Sequence, residues 1–358
     1  MPTVYPDSTF WGQADGTYNG YILSTNNGIQ TLNMTDTLTW ANNPGGGANS
    51  GGANNWTIPV NTVVITNGNS LNMRCSNYLA YSAPYFYIHG TLINNGNFST
   101  PQTTKRVEWR WRGGAQISST GKIINYPNNY IYTWTGETSG GQNYHYLRNF
   151  GTIINSGRFS FGYYNAVYNS RFQRRGGFFL TNKPFEYFQQ HYGSSGDWTE
   201  SSSTAMISRS GTTINMSSNI SIPEINAVDI IGNAIKTSLF KIDSGTTLNI
   251  NSNKTLTNAG TIENDGSIEN NGTITNNDTI TNNGTIDNHN GTIDNANGSI
   301  LSNSLITGNA PTPFGACYEP DTTGVIEITS NFDLPTSSTF KVPNQKTLKI
   351  PNSVTFTV

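Results

Sequence analysis

The residues with the most chemistry to offer in this 358-residue chain lie in Lys105-Arg106-Val107-Glu108-Trp109-Arg110-Trp111-Arg112. Side chains alternate faces along an extended strand. Trp109 and Trp111 then share one side, and Arg110 and Arg112 the other. Aromatic faces beside guanidinium groups can hold a protein partner, a sugar or a single-stranded nucleic acid. An amphipathic strand with both tryptophans buried gives the same pattern. Tyr144 and Tyr146, on either side of His145, join the candidate binding residues. Acid–base cleavage of a polysaccharide, or a calcium site, needs carboxylates clustered on one face. Here Glu263, Asp265 and Glu269 are neighbours, while Asp287 and Asp294 each follow an isoleucine and should point outward. His89, His145, His191 and His289 form no close pair, and no Ser/His/Asp or Cys/His spacing occurs. Cys75 and Cys317 stand far apart, outside any metal-ligand spacing, so unpaired thiols are expected. No catalytic residue, metal ligand or cofactor site is expected, and no phosphate loop or dinucleotide fingerprint is present.

The elements that must position these residues are announced further along the chain. From Leu256 to Ile300 an aliphatic side chain returns every six positions, at Leu256, Ile262, Ile268, Ile274, Ile280 and Ile286, and then after seven at Ile293 and Ile300. Asparagine follows two places later, from Asn258 to Asn295. Glycine follows next but one, at Gly260, Gly266, Gly272 and Gly284, with Asp278 as a substitute. A helix cannot satisfy this period; a stack of short strands can. In Thr-Ile-x-Asn the Ile and Asn point the same way. Burying each Ile contributes roughly 1.5–3 kcal/mol. Asn suits a corner because its side chain bonds to backbone, and the glycine is expected to take positive φ. One hexad cannot bury its own isoleucine, so the array stands only as a stack with an isoleucine ladder and an asparagine ladder. The expected fold is all-β: a parallel β-helix, or β-solenoid. The long inserted coils suggest a right-handed winding.

Hydrophobic residues make up 34% and charged residues 11%, leaner in both than a compact α/β enzyme. The net charge of −2 gives no global pull toward nucleic acid or an acidic membrane. The first residues lack a basic head followed by an apolar core, so no secretory signal is expected, and no apolar run is long enough for a membrane helix.

Four regions follow. Residues 1–55 read as an N-terminal cap ending in the Gly-rich stretch 42–55. Residues 56–204 read as a decorated solenoid, where Gly90-Thr91-Leu92-Ile93-Asn94 recurs at Gly121 and Gly151 with long insertions between. Residues 205–310 are the regular hexads, and 311–358 a terminal loop and strand cap. All seven tryptophans and all but one tyrosine precede residue 200, and the segment 76–200 is basic. The insertions are therefore expected to be aromatic-rich surface loops. Thr273/Thr275 and Thr279/Thr281 are too few for an ice-binding face. The many Asn-x-Ser/Thr sequons follow from the repeat itself.

The Asn-Asn-Gly-Thr-Ile hexads resemble those of β-solenoid structural proteins of large double-stranded DNA viruses, such as the chlorella viruses, and those of bacterial adhesins. The similarity covers about residues 245–300 and, more faintly, the Gly-x-Ile/Leu-Ile-Asn rungs. The resemblance implies a minor capsid or surface component of a virion. Its expected partners are other capsid or surface proteins, or further copies of itself, without nucleic acid or membrane insertion. The missing export signal favours the virion over a bacterial cell surface. A glycan-binding adhesin or host-attachment spike is the alternative, and a polysaccharide-degrading β-helix enzyme the second.

Overall fold

The computed structural model describes residues 2–4, 8–40, 56–74, 86–102, 105–111, 115–135, 146–163, 171–174, 177–182, 186–189, 207–210, 212–216, 218–229, 231, 234–236, 238–302, 306–309, 311, 325–327, 332–333, 347–350, 352 and 355–357. Within these the chain is almost entirely β, with a single turn of helix at Ser8–Trp11. It forms two compact units. Unit one comprises residues 1–204 and 226–235, and unit two residues 205–225 and 236–358.

Unit two contains the hexads, and its parallel strands stack as the sequence demands. Three hexads make one coil. The Asn258 amide meets Asn276, Asn264 meets Asn282, and Asn270 meets Asn288, each 18 residues on. Three faces result. Thr247–Ile250, Ser267–Asn270 and Thr285–Asn288 stack on one, Thr255–Asn258, Thr273–Asn276 and Thr292–Asp294 on the next, and Leu239–Ile242, Thr261–Asn264 and Thr279–Asn282 on the third. The aliphatics of each face lie in register, as in Leu256–Ile274–Ile293 and Phe240–Ile262–Ile280, and all are buried. Asp287 and Asp294 point outward and are exposed.

The asparagines form a second, polar column inside the first. Asn258 Nδ2 donates to Asn276 Oδ1 at 2.8 Å, and Asn276 Nδ2 to Asn295 Oδ1 at 2.7 Å. The other amide hydrogen of Asn258 goes to the Thr279 carbonyl oxygen at 3.0 Å, and its Oδ1 accepts from the Gly260 N–H at 3.2 Å. Asn264 and Asn270 repeat this set. Every donor and acceptor of the buried amide is thus engaged, the condition under which a polar group can sit in a core. Beneath the ladders the same inner positions hold Ile222, Ile242 and Ile250.

The hexad glycines do not behave as expected. Among the described glycines, positive φ occurs at Gly20, Gly28, Gly68, Gly245 and Gly308, and at none of Gly260, Gly266, Gly272 and Gly284. Their requirement is room. A Cβ on Gly284 would lie 2.0 Å from the Gly266 carbonyl oxygen, and one on Gly272 2.3 Å from that of Lys254. The corner of one coil rests directly on the backbone of the coil before it, and only hydrogen fits between. At Asp278, where a Cβ is present, the Thr279 N–H reaches the Gly260 oxygen at 3.3 Å, against 2.9 Å at Thr273 and Thr285.

Unit one is built on the same plan with longer coils. Its polar column, Thr66–Asn94–Asn125–Asn155–Thr181, climbs in steps of 28, 31, 30 and 26 residues. The first face stacks Ile29–Met34, Thr62–Ile65, Thr91–Asn94, Lys122–Asn125, Thr152–Asn155 and Phe178–Thr181. The second stacks Leu38–Trp40, Leu71–Arg74, Val107–Trp111, Tyr130–Thr135, Arg158–Tyr163 and Glu186–Gln189. The third stacks Trp56–Ile58, Phe86–Ile88, Ala115–Ile117, Tyr146–Asn149 and Arg171–Arg174. Inner columns such as Leu38–Leu71–Val107–Ile131–Phe159 fill the interior.

The first face is apolar outside as well as inside. Ile65, Ile93, Ile124, Ile154 and Leu180 stand in register on its outer side, yet each is at most 1% exposed. That is why these strands read Val-Val-Ile, Leu-Ile and Ile-Ile, the continuous runs of a strand covered on both sides, where the hexads alternate. At the start of this face, Asn33 Nδ2 donates to the Val228 oxygen at 2.7 Å and the Val228 N–H to Thr31 Oγ1 at 3.2 Å. Residues 226–228 thus cover its first strand. The same end is closed by antiparallel Tyr21–Asn26 and Gly16–Tyr18 and by the helical turn. There Trp11 Nε1 donates to the Thr57 oxygen at 2.6 Å, and the Trp11 ring packs edge-on to Trp40. An exposed sheet edge would otherwise template pairing with another chain.

Candidate docking edge

The connections of unit one are distributed unequally. Turns from the third face to the first span two to four residues, as at His89–Gly90, because the Gly90, Gly121 and Gly151 corners sit against the backbone of the preceding coil. Connections from the second face to the third are the residues 41–55, 75–85, 112–114, 136–145 and 164–170. The strand ends that they join are in register, one pair per coil. These segments lie outside the described residues; their sequences hold Tyr78, Tyr81, Tyr85, Arg112, Tyr144, Tyr164 and Tyr168. Strand ends hold their roots in order, with Arg74 beneath Arg110, and Trp111, Thr135 and Tyr163 in register above.

The candidate residues fall around this edge. Trp109, Arg110 and Trp111 belong to the strand Val107–Trp111, with backbones in register with Met73 and Arg74 on one side and Thr133, Trp134 and Thr135 on the other. Tyr146 opens the strand Tyr146–Asn149, in register with Arg171. Trp111 and Tyr146 therefore flank the same edge one coil apart. Arg112 and Tyr144 lie outside the described residues.

A second feature was not foreseen from the sequence. On the outer side of the second face, Arg106 donates from Nε and Nη2 to Glu108 Oε2 at 3.1 and 3.0 Å. Its guanidinium lies 4.8 Å from the Tyr132 ring centre, and that of Arg158 lies 4.5 Å from Tyr130. Such contacts are worth about 0.5–2 kcal/mol each. Glu108 is buried, so the two hydrogen bonds from Arg106 to one carboxylate oxygen neutralise a charge that burial would otherwise penalise. The alternation Tyr130-x-Tyr132 was legible; its meeting with Arg106 and Arg158 depends on coil lengths, which the sequence does not display.

The acidic residues of the hexads disperse. Glu269 and Asp287 are neighbours on one face, Asp294 lies on the next and Glu263 on the third. Glu263 and Asp265 are engaged by Lys241 Nζ at 3.6 and 2.6 Å. Burial pushes the Asp265 carboxyl up, but hydrogen bonds from Lys241 and Asn283, with the Lys241 charge, outweigh it and hold Asp265 below the ordinary carboxylate value. Burial likewise pulls the Lys241 ammonium down. The hydrogen bond to Asp265 and the charges of Asp265, Glu263 and Asp243 outweigh that and hold it up. Asp287 is lowered chiefly by its 2.5 Å hydrogen bond with His289. Among the described residues no three His, Cys, Asp or Glu side chains are grouped to hold a metal ion, and no helix is long and apolar enough to cross a membrane. No protein-family model, curated protein or solved structure matches the chain.

Proposed function

We propose that this chain is a structural component of a virion, a minor capsid or surface protein of a large double-stranded DNA virus. In this reading the stacked coils are the scaffold and the aromatic, basic insertions of residues 76–200 the docking surface for other capsid or surface proteins, or for further copies of the chain. The observation that carries the reading is the sorting of insertions. Four of the five connections from the second face to the third run to seven residues or more, while the corners from the third face to the first are held at Gly90, Gly121 and Gly151 against the backbone of the preceding coil. Loops on a rigid scaffold are where recognition is placed. We also infer a right-handed winding, the hand that parallel strand–crossover–strand connections take in about 98% of cases.

Locating the chain in the source particle by immunogold labelling and cryo-electron microscopy tests the reading. Ordered copies at fixed positions on the particle are expected; a chain found only free in the host cell would end it. A glycan-binding surface protein is the second reading, favoured by the aromatic track described next. Substitution of His89 and Phe150 on that track separates the two, since particle incorporation and glycan binding are different readouts.

A further inference from the structure

We propose that the outer side of the third face of unit one is a binding track for an extended glycan running parallel to the solenoid axis. This inference does not rest on the virion reading. The rows are fixed by backbone register. Thr57, Tyr87, Gln116 and Arg148 stand one above another on the strands. Just beyond them the N–H groups of His89, Ser118 and Phe150 donate to the carbonyl oxygens of Ile58, Ile88 and Ile117, each at 2.9 Å, so these residues also form a column. The grid therefore reads Tyr87–His89 on one coil, Gln116–Ser118 on the next and Arg148–Phe150 on the third.

The chemistry of the grid alternates. Tyr87 and His89 lie nearly parallel, 5.7 Å apart between ring centres. Phe150 is 39% exposed, one of four large hydrophobic side chains left so open among the described residues. Between these aromatic rows lies a polar one, with the Gln116 amide and the Ser118 hydroxyl, the latter 3.1 Å from Thr120 Oγ1. Two coils separate the aromatic rows, about 10 Å at the strand spacing. A pyranose offers C–H groups on its faces and hydroxyls around its rim, so a chain of them meets rings and amides in turn. One coil pitch is close to the advance of one sugar in an extended chain. Thr57, Tyr87, Gln116 and Arg148 carry one cation between them, too few for a track that must neutralise a phosphate backbone.

The test uses the full chain, titrated calorimetrically with cello-, xylo-, chito- and galacturono-oligosaccharides of two to six units, and with a single-stranded oligonucleotide. One oligosaccharide series should bind, tightening from two units to four as both aromatic rows become reachable. Phe150→Ala and His89→Ala should each weaken it about tenfold, the value of one ring contact, while Thr281→Ala in unit two leaves it unchanged. Circular dichroism of each variant checks that the fold persists. The proposal is overturned if no series binds, if both aromatic variants bind like the parent, or if the oligonucleotide alone binds in a Phe150-dependent way.

Discussion

Replacing Asn276 by Asp changes one N–H₂ group to an oxygen at constant shape, in the middle of a buried column. Asn276 accepts from Asn258 at 2.8 Å and donates to Asn295 at 2.7 Å. A carboxylate there would face the Asn295 Oδ1 with no hydrogen, and would carry a charge in a site closed to water. Unpaired buried charge costs about 3–5 kcal/mol. The introduced carboxyl can escape by staying protonated, and its O–H then replaces one of the lost donors, leaving a deficit of about 1 kcal/mol. Its folded-state pKa is therefore raised above the unfolded value of about 3.9. The sign follows. Below about pH 3.9 the group is protonated in both states and the deficit is small. As pH rises the unfolded chain ionises first, and the variant loses about 1.4 kcal/mol per unit until the folded form ionises too. Hydrogen exchange of amides 255–300, compared with the parent at each pH, reads this locally. Exchange should be faster by about two to four orders of magnitude at pH 7 and by less than about tenfold at pH 3.5. Equal effects at both pH values, or an effect at pH 7 below tenfold, would refute the fully engaged ladder.

Other outcomes follow from the same geometry. Gly284→Ala forces a Cβ against the Gly266 carbonyl and should cost about 1–3 kcal/mol, read by the same exchange measurement. Gly245→Ala, with open space around it and φ of +75°, should cost only the left-handed penalty of about 1–2 kcal/mol and leave coil spacing unchanged. Arg106→Ala should lower the stability of unit one by about 1.5–3 kcal/mol, the worth of hydrogen bonds to a charged group. Adding Glu108→Gln should recover much of it, with fluorescence reporting, since all seven tryptophans precede residue 200. Lys241→Met should cost no more than about 1 kcal/mol at pH 7. Because the Asp265 carboxyl is held low, that contribution should disappear as pH falls through its folded-state value. Because Lys241 is held high, it should also disappear as pH rises through the folded-state value of the ammonium.

The repeat made the inner columns legible. Ile262, Ile268, Ile274 and Asn258, Asn264, Asn270 announced themselves by period alone, because each faces a copy of itself and needs no distant partner. The reason for glycine was misread. A six-residue repeat shows that a Cβ is excluded but not by what, and the obstacle, a carbonyl about 18 residues earlier, is visible only once three hexads close a coil. The paired aliphatics Ile93, Ile124 and Ile154 were in plain view as double-apolar rungs, yet were read as copies of the hexad. Alternation alone would have assigned their second residue to water. The candidate residues Trp109 and Trp111 were chosen by residue type and strand alternation, and Tyr146 by its aromatic setting. That their backbones adjoin one edge follows from topology, while the Arg106–Tyr132 and Arg158–Tyr130 contacts required register that no local pattern encodes.

The three-hexad coil sets a rule for how such a chain can change length. Deleting eighteen residues removes one whole storey and leaves the faces above and below in register. Deleting six turns everything downstream by a third of a revolution, so that Lys241 would no longer look up at Glu263. Descendants of this gene should accordingly lengthen and shorten by whole storeys, even though the shortest unit of their text is a third as long.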